Sequence, residues 1–238
     1  MAHKVARCSV QTHIGYVRAE NEDSIAVSAI DPIPENGWAG DLSLQQGWAL
    51  VCDGMGGHAA GDVASQIVVE LLRPVLGSLS SGHEIALALH AANDGLFDTM
   101  ECYPAFEGMG TTIAGVIFRE DIALAWNVGD SRIYLHHEGK LTQISTDDVV
   151  GGSMLTQCLG GLSRPSRIAP HISEFRLTPG SKFLLCSDGL TDLVNDDDIA
   201  AILDLTVDDY AERLVDAALD AGGLDNVSAI VIAIPSDL

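Results

Sequence analysis

The chain has 238 residues, 47% of them hydrophobic, enough for a sizeable core, which excludes disorder as its main state. Twelve Lys and Arg stand against 34 Asp and Glu, a net charge of −22 with 5% aromatics, so a nucleic-acid backbone and an anionic membrane are both poor partners. No apolar run approaches the ~18 residues of a membrane span, and Met1-Ala2-His3-Lys4 lacks the apolar stretch of a signal peptide; a cytoplasmic protein is expected, monomeric by default.

Residues 4–14 alternate loosely and predict a strand, and 24–30 predict a second. The stretch from Asp31 to Gln46 carries Pro32, Pro34, Asn36, Gly37 and Gly40 and reads as a long loop. Residues 47–52 predict a third strand. After Gly61 the pattern becomes helical, with Val63, Ile67, Val68, Leu71, Leu72 and Val75 on one face and Asp62 where a carboxylate suits the helix dipole. A second helix spans 83–100, with Ile85, Leu87, Leu89, Leu96 and Met100 as core positions. Strands over 111–118, 121–128 and 131–136 follow, then a Glu138-Gly139-Lys140 turn and a short strand at 140–144. Residues 145–170 hold Gly151, Gly152, Gly160, Gly161, Pro165 and Pro170 and read as an irregular excursion with one helical turn near Met154–Cys158. Strands return at 171–177 and 181–187, helices at 196–204 and 207–220, and a last strand at 226–234. Asn195 followed by Asp196, Asp197 and Asp198 is a capping Asn with carboxylates in the first turn, and Thr206-Val207-Asp208-Asp209 reads the same way. The five cysteines include no C-x-x-C and are odd in number, which predicts reduced, mostly buried thiols.

This order is not βαβ alternation. It predicts an α+β fold: two mostly antiparallel sheets face to face with a helix pair on each outer side, a four-layer α-β-β-α sandwich.

Carboxylates recur where apolar strands stop: Glu22-Asp23 before the second strand, Asp53-Gly54 after the third, Gly129-Asp130, Ser187-Asp188-Gly189, and Asp225-Asn226 before the last. Each Asp-Gly alone is a turn signal. Gathered on one sandwich edge they would repel one another, by roughly 3 kcal/mol for two charges ~5 Å apart at an effective dielectric near 20. Divalent cations would remove that cost, and an all-oxygen donor set favours Mg²⁺ or Mn²⁺ over zinc.

The segments Arg18-Ala19-Glu20-Asn21-Glu22-Asp23, Asp53-Gly54-Met55-Gly56-Gly57, Gly110-Thr111-Thr112, Gly129-Asp130-Ser131-Arg132, Ser187-Asp188-Gly189-Leu190 and Asp225-Asn226-Val227-Ser228 resemble, in order and across nearly the whole chain, the metal-dependent Ser/Thr protein phosphatases of type 2C (the PPM family). Met55, standing where the animal-type motif has His, resembles the bacterial branch. The resemblance implies one phosphatase domain over 1–238, a β-sandwich flanked by helix pairs, with 145–170 as a shortened flap lacking a helix of typical bacterial members. It implies two Mn²⁺ or Mg²⁺ ions: Asp53 bridging both, Asp188 and Asp225 on the first, the Gly54 carbonyl on the second with Glu22 reaching it through water. Asp130 matches the third-metal position, shared with Asp188. A water bridging the metals would attack phosphorus, Arg18 would hold the phosphate, Asp23 would order metal-bound water, and Asn226 would hold Asp225 in place. Thr111, Thr112 and Arg132 are expected to be structural. The leaving oxygen would take its proton from metal-bound water or from His58, whose other reading is a loop or helix-start role.

The resemblance thus implies hydrolysis of phosphoserine and phosphothreonine on protein substrates, opposing a bacterial Ser/Thr kinase. Two alternatives stay open: a phosphatase dedicated to one regulatory phosphoserine, as in sigma-factor switches, and a non-catalytic pseudophosphatase that senses phosphate or metal. For Arg18 the alternative is a surface ion pair with Glu20 or Glu22.

Overall fold

The computed structural model describes residues 4–56, 60–152 and 154–237. In chain order the elements are β1 (Val5–His13), β2 (Asp23–Val27), β3 (Trp38–Ser43), β4 (Trp48–Met55), α1 (Gly61–Leu76), α2 (Gly82–Cys102), β5 (Gly110–Thr111), β6 (Ile113–Arg119), β7 (Ile122–Val128), β8 (Arg132–His137), β9 (Lys140–Gln143), β10 (Val149–Val150), β11 (Met154–Leu155), β12 (Leu159–Gly160), β13 (His171–Arg176), β14 (Lys182–Cys186), α3 (Asp188–Thr191), α4 (Asp196–Leu203), α5 (Tyr210–Asp220) and β15 (Val227–Ala233). One sheet runs β3-β1-β15-β14-β8-β9. The other runs β12-β5-β4-β6-β7-β13, with β2 also on β4. Every pairing is antiparallel.

Period-two alternation builds the layers. In β4, Ala49 and Val51 face the core between the sheets, while Trp48, Leu50 and Cys52 face α1 and α2. In β15, Ile230 and Ile232 face inward, and Val227, Ala229 and Val231 face α4 and α5. Phe118 from one sheet meets Phe183 from the other edge to face, ring centroids 5.7 Å apart. The α-β-β-α sandwich expected from the element order is therefore the fold.

Several expectations need correction. The long loop contains β3, whose Leu42 is buried in the inter-sheet core. The excursion has no helical turn at Met154–Cys158; β11 pairs with β10 and β12 with β5. The buried face of α1 is Gly61, Ala64, Ser65, Val68, Val69, Leu72 and Leu76, so Leu71 and Val75 are exposed, as is Leu87 on α2. Small residues lead the inner face because α1 lies directly on β2, β4 and β5. Helix α5 starts at Tyr210 rather than 207, and Asp209 at its N-cap makes no side-chain capping bond. At α4, Asn195 caps as expected, accepting from the Asp198 N–H at 3.0 Å. The five cysteines are free, three of them buried. Among the described residues no helix is long and apolar enough to cross a membrane.

Candidate functional site

Asp53 lies two residues beyond Val51, so it faces the gap between the sheets where the apolar core ends. Asp23 opens β2 directly opposite it in register. The second sheet contributes Asp188, in the first turn after β14, and Asp225, two residues before β15. The β7–β8 turn contributes Asp130. A cavity of about 280 Å³ is lined by Asp53, Gly54, Asp188, Asp225, Glu22 and Asp130, together with Arg18 and Asn226. Of the expected metal, phosphate and supporting residues, all of them among the described residues, Asp23 alone lies outside that lining.

Close backbone approach makes this possible. A Cβ on Gly54 would stand 2.0 Å from the Gly61 carbonyl oxygen, so the strand end and the start of α1 need a bare backbone there. A Cβ on Gly189 would stand 2.0 Å from the Asn226 carbonyl oxygen. That contact seats α3 on the start of β15 and brings Asp188 beside Asp225.

The supporting hydrogen bonds are specific. The Thr112 N–H and the Thr111 hydroxyl both donate to the Asp53 carbonyl at 2.9 Å, and the Asp53 N–H donates to Thr112 Oγ1 at 3.2 Å. Both threonines are structural, as expected. Arg132 pairs with Asp147 at 2.8 Å, also as expected. Asn226 meets Asp225 through its backbone, and its side chain is engaged elsewhere. Its backbone N–H donates to Asp225 Oδ1 at 2.8 Å, while its side-chain amide donates to the Ile14 and Glu20 carbonyls and accepts from the Glu22 N–H. It staples the loop carrying Arg18 and Glu22 to the last strand. Behind the cavity, Asp23 Oδ2 accepts from the Ser187 hydroxyl at 2.8 Å and the Ser228 hydroxyl at 2.6 Å. Asp23 Oδ1 is buried without a partner.

Arg18 does not pair with Glu20 or Glu22. Its Nη2 donates to Asp225 Oδ2 at 2.5 Å.

Crowding and burial raise these carboxyls. Asp53 is held well above the usual carboxylate range by burial, then by the charges of Asp23 and Asp188. Its carboxyl is within hydrogen-bond reach of Asp188, which burial also raises. Burial pushes Asp23 up to about 7 against the pull of its two serines. Burial and then Asp188 push Asp130 up to about 6, and burial raises Glu22. Anions held this way call for counter-charge. Among the described residues no three His, Cys, Asp or Glu side chains already close round one point as a metal cage. The all-oxygen donors, the shared Asp53–Asp188 contact and the partnerless Asp23 oxygen nevertheless fit hard divalent cations, with one adjustment: Arg18 would have to leave Asp225.

Met55, Gly56 and Thr112 of the matched motifs also line the cavity, as does Leu155 of the excursion. Sequence reasoning missed the parts played by two further carboxylates. The charge of Asp62 reaches Glu22, and its Oδ1 is buried without a partner; its place directly after Gly61 was the available signal. Asp148 anchors the excursion: its carboxylate accepts from the Gly129 N–H, Gln157 and His171 at 2.8–2.9 Å. Those partners are scattered along the chain and left no local signal. Gly57 of the glycine-rich motif and His58 lie outside the described residues.

Comparison with known proteins agrees with this geometry. The serine/threonine protein phosphatase PstP of Mycobacterium tuberculosis is 34% identical over 95% of this chain. The chain spans only 45% of the length of that relative. The serine/threonine phosphatase stp of Listeria monocytogenes is 28% identical, with 93% of each chain covered. The solved structure of the PstP catalytic domain in complex with two manganese ions matches with a TM-score of 0.81 at 32% identity, covering 97% of this chain and 99% of that one. The family model described as protein phosphatase 2C matches residues 39–221. With most of the chain inside that match and the motif carboxylates meeting in one cavity, the chain belongs to the protein phosphatase 2C family.

Proposed function

We propose that this chain hydrolyses phosphoserine and phosphothreonine monoesters on proteins in a metal-dependent reaction, acting in the cytoplasm against a bacterial Ser/Thr kinase. On this reading residues 1–238 form one phosphatase domain, with 145–170 as its flap. The observation that carries it is the convergence of carboxylates from both sheets on one cavity that also holds Arg18. The two manganese ions in the PstP structure support the cofactor assignment.

Asp53, Asp188 and Asp225 would hold Mn²⁺ or Mg²⁺, with the Gly54 carbonyl and Glu22 on one side and Asp130 on the other. When bound, the ions supply positive charge against the phosphate dianion and lower the pKa of a water towards neutrality. The chain's own residues do the rest. Thr111 and Thr112 fix the backbone of Asp53, so its carboxylate is placed before any ligand arrives. Arg18, once free of Asp225, presents a planar fork to two phosphate oxygens. Asp23, held by two serines, backs Asp53 directly across the β2–β4 pairing.

The test is p-nitrophenyl phosphate hydrolysis with Mn²⁺, Mg²⁺ or EDTA, in wild type and Asp53→Asn. Metal-dependent turnover that falls by more than roughly 10²-fold in the variant is expected. No turnover by folded, metal-loaded wild type would sink the reading.

A further inference from the structure

Beside the carboxylate cavity lies a second one of about 300 Å³. The two share Met55 and Leu155, which stand as a partition between them. The second cavity is walled further by Leu162, Ile168 and Cys158. Ile168 is buried, whereas Leu162 is 54% exposed at the mouth. Cys158 adds a neutral thiol, since burial and then the charge of Asp130 push it up to about 11. Among the described residues the walls carry no carboxylate and one cation, Arg167, on a chain of net charge −22.

The cavity is also preformed. Asn93 of α2 accepts from the Gly160 N–H at 2.9 Å and donates to the Ser166 carbonyl at 2.9 Å, pinning both ends of the loop that bears Leu162. Gln157, also in the lining, is held in place by bonds to Asp148 and to both backbone groups of Ala169. A rigid apolar recess takes up a side chain without the ordering cost of a flexible one.

We propose that this recess is a specificity subsite that takes the apolar side chain of a residue flanking the phosphoserine or phosphothreonine of the substrate. The inference rests on the phosphatase reading above. It commits to the substrate chain as occupant because the recess opens across Met55 and Leu155 from the carboxylate cavity. A polypeptide whose phosphate sits at Arg18 lays its neighbouring residues along that wall. Leucine, isoleucine, methionine and phenylalanine fit the lining. Among the described residues the one charged lining residue is Arg167, so an acidic side chain could pair only there, while the Leu155, Leu162 and Ile168 walls favour an apolar one.

The test is a set of phosphothreonine peptides, glycine-flanked, with one leucine moved from the third residue before the phosphorylated one to the third after. The protein is manganese-loaded wild type and Leu162→Asp, an exposed position where the substitution leaves the core intact. One leucine position is expected to raise kcat/KM about tenfold over the all-glycine peptide, the value of an apolar group in a fitted pocket. In Leu162→Asp that ratio is expected to fall below about threefold. A flat response across positions, with p-nitrophenyl phosphate still turned over by wild type, overturns the subsite and spares the phosphatase reading. A leucine preference unchanged in Leu162→Asp overturns its location in this recess. Failure of wild type on p-nitrophenyl phosphate and on every peptide overturns the phosphatase reading and the subsite with it.

Discussion

Arg18 and Asp225 make the sharpest prediction. Both are expected at the site, one for phosphate and one for metal, yet the structure pairs them with each other at 2.5 Å. A cation entering at Asp225 must first displace the guanidinium. The pair is open to water, with side chains 50% and 35% exposed, so its net worth is screened to about 1 kcal/mol. Arg18→Gln removes the competitor and keeps a polar side chain of similar reach. Repulsion between guanidinium and cation disappears as well, in the same direction. Together these changes should tighten Mn²⁺ binding about five- to tenfold, since ~1.4 kcal/mol is a factor of ten. The assay is calorimetric titration of EDTA-treated protein with manganese and no substrate. In the same variant KM for p-nitrophenyl phosphate should rise, because the fork that grips phosphate is gone. Unchanged or weaker manganese affinity in Arg18→Gln would refute the idea that Arg18 competes for Asp225.

Three further outcomes follow from the site's construction. Asp23 and Asp130, pushed up to about 7 and about 6, hold protons in the folded chain that unfolded carboxyls near ~3.9 would release. Metal-free protein should therefore lose stability as pH rises through 6 and 7, melting several degrees higher at pH 5.5 than at pH 8 in EDTA; a flat or opposite trend contradicts the raised carboxyls. Ser228→Ala leaves Asp23 one donor short and should cost about 1–3 kcal/mol in urea unfolding, with no change in the denaturant slope. Asp148→Ala frees the Gly129 turn and Gln157 at once; it should cost about 2–3 kcal/mol and speed amide exchange at Thr156, whose N–H donates to the Asp148 carbonyl at 2.7 Å. Exchange left unaltered there would mean the excursion is held by other contacts.

The layers were legible in the sequence because each apolar strand serves two cores through alternation, as in Trp48 to Cys52. The edge strand β3 was not. Its Pro- and Gly-rich approach, Asp31 to Gly37, reads as loop, and its pairing with β1 depends on backbone partners far along the chain, as Val5 opposite Ser43 shows. The two-residue strands of the excursion are likewise set by distant partners, as Leu159 opposite Thr111 shows. The misjudged stripe on α1 has another cause: Leu71 and Val75 follow the periodicity, but small residues win the face where a helix must lie tight on a sheet. At the site, the carboxylates announced themselves by standing at strand ends. What joins them did not: Arg18 is 207 positions from Asp225, and the serines holding Asp23 lie 164 and 205 positions away.

The cavity draws Asp53 from one sheet and Asp188 and Asp225 from the other, so the distance between its two halves is the thickness of the hydrocarbon filling. Phe118 and Phe183, stacked edge to face across that filling, act as a gauge block for chemistry that takes place beyond their reach. Trimming either ring would let the sheets settle and narrow the span between carboxylates without touching one of them. Ion spacing in this architecture is thus a property of side-chain volume in the oily middle, adjustable by substitutions that carry neither charge nor ligand.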